Sequence, residues 1–75
     1  MIIDQIHAIW SRALKLDDFS DTDDFFALGG HSLIMTQIQV AILTELGIEI
    51  PMDQLFRKAT VQQISEHIET ALSAA

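Results

Sequence analysis

The sequence has no cysteine, one proline, three glycines and only four basic residues among its 75 residues. The absence of cysteine excludes a disulfide scaffold, a thiolate metal site and a thiol nucleophile, and it suits a cytoplasmic protein. The four basic residues stand against eleven acidic ones, for a net charge of −7. We therefore expect no nucleic-acid or membrane partner, because phosphate groups are bound by clustered cations. No apolar run is long enough to span a bilayer, and no signal peptide is predicted.

The chain is short enough to form only one small domain, which we predict over residues 1–75. A domain of this size buries about 60% of the surface that its unfolded chain exposes, so little volume is left to enclose a substrate. The apolar fraction of 49% is normal for a globular fold and too high for disorder. These limits indicate a small acidic module that acts by being held by other proteins.

Apolar residues recur at three- and four-residue spacing along most of the chain, which predicts an all-α fold. Gly47 is expected to cap the second helix in the left-handed conformation, and Thr60 with Gln63 forms a capping box before the last helix. The predicted helices run from about Ile2 to Lys15, from Ser32 to Leu46, from about Met52 to Arg57, and from Val61 to about Leu72. The inward stripes of the first and last helices are predicted to consist of Ile3, Ile6, Trp10, Ala13, Leu14, Val61, Ile64, Ile68, Ala71 and Leu72.

The connection between the first two helices is long and acidic, with five aspartates from Asp17 to Asp24. A calcium loop is one interpretation, but neither register places glycine at position 6, so a solvated acidic loop is favoured. Such a loop can steer basic partner surfaces. His7, on the first helix, is interpreted as a packed or solvated residue rather than a ligand. The apolar residues expected to pin the loop against the core are Phe19, Phe25, Phe26 and Leu28.

The second helix carries apolar residues on two sides, so it is either deeply buried or exposes one side to a partner. One stripe is predicted to face the core and consists of Ile34, Ile38, Ala41 and Ile42. The other consists of Leu33, Thr36, Val40 and Leu43, and whether Val40 and Leu43 belong to the core or to an interface stays open.

The segment from Asp24 to Leu33 is the most informative part of the sequence. Adjacent Gly29 and Gly30 allow a sharp turn and the close approach of another molecule. Ser32, at a helix start, is either an N-cap or the attachment point of a group such as phosphate, which would meet free N–H donors there. Ser32 is not the nucleophile of a hydrolase elbow, because the closing glycine is absent. A Walker phosphate loop is also excluded, because no Gly-Lys-Ser/Thr follows the glycines.

The run from Asp23 to Leu33 reads DDFFALGGHSL and closely resembles the D-x-F-F-x-L-G-G-H/D-S-L hallmark of peptidyl carrier (thiolation) domains. These domains belong to the phosphopantetheine-dependent carrier proteins and serve nonribosomal peptide synthesis. The likeness continues through residues 47–51, 55–56 and 60–64, and it covers about Ile3 to Leu72. It implies a four-helix bundle with a short third helix, a long loop between the first two helices, and no catalytic activity of its own.

The resemblance also implies how the protein works. Ser32 would receive 4′-phosphopantetheine from coenzyme A, with Gly30 and His31 contributing to cofactor binding, and the arm would carry an aminoacyl or acyl thioester. The implied partners are a phosphopantetheinyl transferase, an adenylating enzyme or ligase, and condensation, acyltransferase or tailoring enzymes. No metal site is expected. The partner interface is expected to consist of Leu33, Met35, Thr36 and Val40.

Three hypotheses stay open. The first is a peptidyl carrier, favoured by His31 before Ser32; the second is an acyl carrier of polyketide or fatty acid synthesis, favoured by the strong negative charge. The third is a helical interaction module in which Ser32 is only a helix cap. Because the chain starts just before the first helix and stops soon after the last, we expect a freestanding carrier rather than one module of a synthetase. We also expect a monomer.

Overall fold

Four α-helices make up the computed structural model, which describes residues 1–73. They are α1 (Ile2–Leu14), α2 (Ser32–Leu46), α3 (Met52–Arg57) and α4 (Val61–Ser73). α1 packs against both α4 and α2, and α2 packs against α3. The described residues form no strand. The predicted all-α fold, with its short third helix and its long connection between α1 and α2, is confirmed.

The helix ends follow local sequence signals closely. Gly47 adopts a φ of 70° and donates its N–H to the carbonyl oxygen of Leu43 at 2.9 Å, as predicted for a left-handed C-cap. α1 ends at Leu14, one residue earlier than expected, because Lys15 takes the left-handed conformation as its C-cap. Within residues 1–73, no helix has both the length and the apolar character needed to cross a membrane.

One apolar core lies between α1, α2 and α4. Ile9 belongs to it although the predicted α1 stripe omitted it, whereas Ile3, Ala13 and Leu14 are only partly buried. The predicted inward stripe of α4 is wrong at its end, because Ala71 and Leu72 are exposed and the buried side of α4 stops at Ile68. The apolar side chains that α1, α2 and α4 bury are Ile6, Ile9, Trp10, Met35, Ile38, Ile42, Val61, Ile64 and Ile68.

The start of α4 carries the predicted cap. Thr60 Oγ1 accepts the N–H of Gln63 at 3.1 Å, which satisfies one of the free donors of the first turn. The second half of the predicted capping box differs. Gln63 Oε1 accepts the Thr60 hydroxyl at 3.3 Å, whereas in a capping box it would accept the backbone N–H of Thr60.

Replacing Thr60, the cap of α4, is expected to lower the free energy of unfolding measurably. Thr60→Ala leaves the N–H of Gln63 without its acceptor and should lower the free energy of unfolding by about 1 kcal/mol. Urea denaturation followed by circular dichroism measures the change. Thr70→Ala is the matched control, because Thr70 is exposed on the same helix and should change stability by no more than about 0.5 kcal/mol. Equal losses in both variants would show that the cap has no specific effect.

Candidate functional site

Phe25 anchors the long connection to the core, as predicted. Its side chain is fully buried, and its ring meets Trp10 edge to face with centroids 6.0 Å apart. The N–H of Phe25 also donates to the carbonyl oxygen of Ala59 at 2.7 Å. Both the side chain and the backbone of Phe25 therefore hold the loop against the segment between α3 and α4.

A second anchor joins the loop to α1 and α4. His7 Nδ1 shares a hydrogen bond of 2.6 Å with Asp21 Oδ1, and the His7 ring stacks on Phe19 at a centroid distance of 4.4 Å. The carbonyl oxygen of Asp21 accepts the N–H of Gln62 at 3.0 Å. His7 is thus a packed residue that holds the loop, in line with its predicted structural role.

The aspartates of the loop shape its backbone. Asp17 Oδ1 accepts the Ser11 hydroxyl at 3.1 Å, and Asp23 Oδ2 accepts the N–H of Ser20 at 2.8 Å. Asp24 Oδ2 accepts the N–H groups of Phe26 and Ala27 at 2.9 and 3.1 Å. The prediction of a merely solvated loop was therefore incomplete. The sequence did contain a signal for these hydrogen bonds. Asp24 stands just before a turn, and aspartate side chains there commonly accept the backbone N–H two residues on.

No metal centre forms from these carboxylates. Residues 1–73 contain no group of three or more acidic or histidine side chains placed to hold a metal ion. The bonded carboxylates instead accept hydrogen bonds from N–H and hydroxyl groups, each from a different partner.

Phe26 departs from the predicted anchoring. Its side chain is 47% exposed, although its ring stacks on Phe56 at 5.6 Å and contacts Phe25 edge to face at 5.3 Å. The Phe25 ring already occupies the core at this point, so the Phe26 ring lies on the outer side of the Phe25 ring. Phe19 and Leu28 are both half-buried, but only Phe19 packs against the core, so Phe25 and Phe19 hold the loop rather than all four apolar residues.

The two glycines have different roles. Gly29 adopts a φ of +94°, a conformation that side chains other than glycine rarely take, and this turns the chain toward α2. Gly30 is required by packing, because a Cβ there would lie 2.4 Å from carbons of the Phe25 ring. At Gly30, the space in which we expected another molecule to approach is occupied by the chain's own Phe25, whereas a Cβ at Gly29 would meet nothing within 4 Å. A direct part for Gly30 in cofactor binding stays a prediction.

Ser32 is the first helical residue of α2 and does not cap it. The N-cap is His31, whose backbone is extended and whose side chain makes no capping hydrogen bond. The Ser32 side chain is exposed, and its hydroxyl makes no hydrogen bond with any residue from 1 to 73. The interpretation of Ser32 as a helix cap is thus wrong, because His31 holds the capping position and leaves the hydroxyl free.

The electrostatics around Ser32 favour a negatively charged group. The first amide N–H groups of α2 have no acceptor within residues 1–73, and the first turn contains no acidic residue. Free N–H groups and the aligned peptide dipoles together make this end of a helix positive. A phosphate ester on Ser32 would therefore lie at the positive end of α2, where the first turn itself carries no carboxylate.

Of the residues that follow Ser32 on α2, some are exposed and others are buried in the core. Leu33 is 64% exposed, and Thr36 and Val40 are exposed as well. Met35, which we expected at the interface, is 0% exposed, so that expectation is wrong. The reason is helical phase: Met35 lies one turn before Ile38 and shares the buried side of α2 with it.

The chain matches the phosphopantetheine attachment site family over residues 4–68, and it therefore belongs to this family of carrier proteins. Members of the family carry acyl groups on 4′-phosphopantetheine and are not catalysts themselves. The predicted resemblance to peptidyl carrier proteins is confirmed.

The chain is similar to short parts of large peptide synthases. Tyrocidine synthase 3 of Brevibacillus parabrevis is 38% identical over 61 residues, which are 81% of this chain and 1% of that protein. Gramicidin S synthase 2 of Brevibacillus brevis is 38% identical over 64 residues, which are 85% of this chain and again 1% of that protein. The chain therefore spans a very small part of these relatives.

Two solved structures share the fold closely. BlmI, a type-II acyl carrier protein of Streptomyces verticillus involved in bleomycin biosynthesis, matches with a TM-score of 0.88 at 28% identity, covering 95% of this chain and 86% of BlmI. The other match is a chain in the structure of the phosphopantetheine transferase Sfp with coenzyme A and a peptidyl carrier protein. Its TM-score is 0.89 at 26% identity, and the match covers 93% of this chain and 91% of that one.

The contact between Gly30 and Phe25 can be tested by a double-mutant cycle. Gly30→Ala should lower the free energy of unfolding by about 1–3 kcal/mol, because the new methyl group overlaps the Phe25 ring. In a Phe25→Leu background the same change should cost less, with a coupling of at least about 0.5 kcal/mol. Urea denaturation of the four proteins measures the coupling, and strictly additive losses would contradict the contact.

The division of α2 into buried and exposed sides predicts very different losses of stability at two apolar residues. Met35→Ala should lower the free energy of unfolding by about 2–5 kcal/mol, because it opens a cavity in the core. Leu33→Ala removes a side chain that is mostly in water and should change stability by no more than about 0.5 kcal/mol. Chemical denaturation compares the two variants, and a large loss in Leu33→Ala would place Leu33 in the core.

Proposed function

We propose that this chain is a freestanding peptidyl carrier protein that acts in the cytoplasm as a single domain over residues 1–75. It holds an aminoacyl or acyl group as a thioester on 4′-phosphopantetheine attached to Ser32. It then presents that group to enzymes of nonribosomal peptide or hybrid biosynthesis. The observation that carries this proposal is the exposed, unbonded hydroxyl of Ser32 at the positive end of α2.

The chemistry of attachment depends on a separate transferase. The Ser32 oxygen forms a new bond to the phosphorus next to the pantetheine half of coenzyme A. The pyrophosphate bond breaks, and the adenosine bisphosphate half leaves. In this proposal the transferase supplies the base that accepts the proton of the Ser32 hydroxyl.

The attached arm supplies a thiol, which the chain itself lacks. A flexible tether raises the effective concentration of the cargo at each enzyme that binds the carrier. The carrier needs only a stable fold, one attachment point and a surface that partners recognise. This explains why such a short chain suffices.

The proposed partners follow from the three steps of attaching the arm, loading it with cargo and presenting the cargo to enzymes. They are a phosphopantetheinyl transferase, an adenylating enzyme or ligase, and condensation, acyltransferase or tailoring enzymes. Any enzyme that acts at Ser32 must cover the neighbouring turn of α2, so Leu33 and Thr36 are assigned to the interface, with Val40 one turn further on. Met35 is removed from it because it is buried. His31 is exposed directly before Ser32 and is kept as a contact for the cofactor.

An acyl carrier of polyketide or fatty acid synthesis is the second candidate. The net charge of −7 favours it, and the similar protein BlmI is a type-II acyl carrier protein. His31 and the relatives among peptide synthases favour a peptidyl carrier. The third hypothesis required Ser32 to be a helix cap, and Ser32 does not cap α2.

Loading with coenzyme A tests the attachment residue. Incubation with Sfp and coenzyme A should add one phosphopantetheine unit to the wild-type protein, measured by intact mass spectrometry. Ser32→Ala should gain nothing, while Ser73→Ala, which removes another exposed serine, should load like the wild type. Circular dichroism verifies that each variant is folded. No gain in the folded wild type, or a gain in Ser32→Ala, would contradict the proposal.

A further inference from the structure

The hydrogen bonds of the long connection between α1 and α2 divide it into two parts. Residues 16–23 form the acidic half, which carries four of the five loop aspartates. Residues 24–31 form the attachment half, which leads to Ser32. Within residues 1–73, no hydrogen bond joins a residue of one half to a residue of the other. The loop therefore consists of two hydrogen-bonded units rather than one.

Each half is closed by its own bonds. In the acidic half, the N–H of Asp23 donates to the carbonyl oxygen of Ser20 at 3.0 Å, and the N–H of Ser20 donates to Asp23 Oδ2 at 2.8 Å. In the attachment half, the N–H of Gly30 donates to the carbonyl oxygen of Phe25 at 3.0 Å. Such units can open one at a time, because the opening of one breaks no bond of the other.

The two halves differ in how firmly they are held. In the attachment half, the Phe25 side chain is fully buried and its N–H donates to the carbonyl oxygen of Ala59 at 2.7 Å. The acidic half has two apolar side chains, of which Phe19 is half-buried and packs against the core, while Leu16 is exposed. Segments with few buried apolar contacts open at a smaller cost in free energy than core segments. We therefore expect the acidic half to open first.

Contacts at Asp21 hold the acidic half to two helices, and we call the contacts of Asp21 with His7 and Gln62 the latch. His7 Nδ1 lies 2.6 Å from Asp21 Oδ1, and an ionised carboxylate only accepts, so the hydrogen lies on Nδ1. The carbonyl oxygen of Asp21 accepts the N–H of Gln62 at 3.0 Å. Gln62 is the second residue of α4, where the backbone N–H has no acceptor inside the helix. Asp21 therefore caps α4 from a distant part of the chain.

We propose that the latch is a conformational device: when it releases, the acidic half opens as a unit while the attachment half and Ser32 keep their places. Release breaks both bonds of Asp21 and none that Phe25 makes. The charged part of the loop then adapts to the surface of a partner without moving the residue that carries the arm. This consequence for partners rests on the proposed function, whereas the opening itself does not.

Native-state hydrogen exchange followed by NMR tests the latch through two amides. The Gln62 amide is bonded to the latch carbonyl, and the Phe25 amide is bonded to Ala59. In the wild-type protein, the protection factor of the Phe25 amide should be at least about tenfold higher than that of the Gln62 amide, because the acidic half opens more often. Equal protection of the two amides would show that the loop opens as one unit and would overturn the proposal.

Two substitutions release the latch from opposite sides. Asp21→Ala removes the acceptor, while His7→Phe removes the donor and keeps an aromatic ring next to Phe19. Each should lower the protection factor of the Gln62 amide at least about fivefold and change that of the Phe25 amide less than about twofold. Because the donor and the acceptor act as a pair, the double variant should lose little more protection than either single variant.

Asp18→Ala is the matched control for the loss of a loop carboxylate. The Asp18 side chain is exposed and forms no hydrogen bond or ion pair within residues 1–73, so neither amide should change. Circular dichroism verifies that each variant is folded. If both amides lose protection equally in the latch variants, the loop is a single unit. If the Gln62 amide loses no more protection than in the control, the latch does not hold the acidic half. Either result overturns the proposal.

Loading with coenzyme A tests whether Ser32 is independent of the latch. His7→Phe leaves every loop carboxylate in place, and Sfp should load this variant at a rate within about twofold of the wild type, because the attachment half stays closed. Slow loading of His7→Phe with an unchanged Phe25 amide would contradict this independence. A wild-type protein that does not load would count against the proposed function alone, since the exchange results do not require attachment.

Discussion

The burial of Phe25 against Gly30 is the interaction on which the rest of the structure depends. The ring occupies the space that a side chain at position 30 would need, and the Gly30 N–H donates to the Phe25 carbonyl oxygen at 3.0 Å. This contact fixes the end of the long loop between α1 and α2. Ordering that loop is unfavourable by itself, because each fixed residue loses conformational entropy worth about 1–2 kcal/mol. It also places Ser32 at the start of α2, two residues after a position held by the core.

The acidic loop serves two purposes with one set of residues. Its carboxylates accept hydrogen bonds from the loop's own N–H groups, from Ser11 and from His7, so the aspartates stabilise the conformation that leads to Ser32. The same aspartates leave this half of the chain negative. Removing a carboxylate would therefore change both the loop geometry and the electrostatic field around Ser32.

Prediction from the sequence succeeded wherever the signal was local. Apolar spacing located the four helices, and Gly47 and Thr60 marked their ends, because caps and periodicity act within a few residues of chain. Prediction failed for Phe26 and for Met35, for different reasons. Phe26 was expected to be buried like Phe25, yet only one of two neighbouring rings can point into the core. Met35 was assigned to the interface, but its helical phase matches Ile38.

Local chemistry accounts for the helix boundaries, the acidic character and the run of residues around Ser32 that indicates a carrier. Folding in three dimensions adds what no local pattern contains. It frees the Ser32 hydroxyl because His31 takes the N-cap position, and it requires glycine at position 30 because a ring from five residues earlier lies against the backbone. It also selects which apolar side of α2 meets the core. The choice of the buried side of α2 depends on packing against helices distant in sequence, and the need for glycine at position 30 depends on the Phe25 ring being held in the core, since close-packed side chains exclude one another.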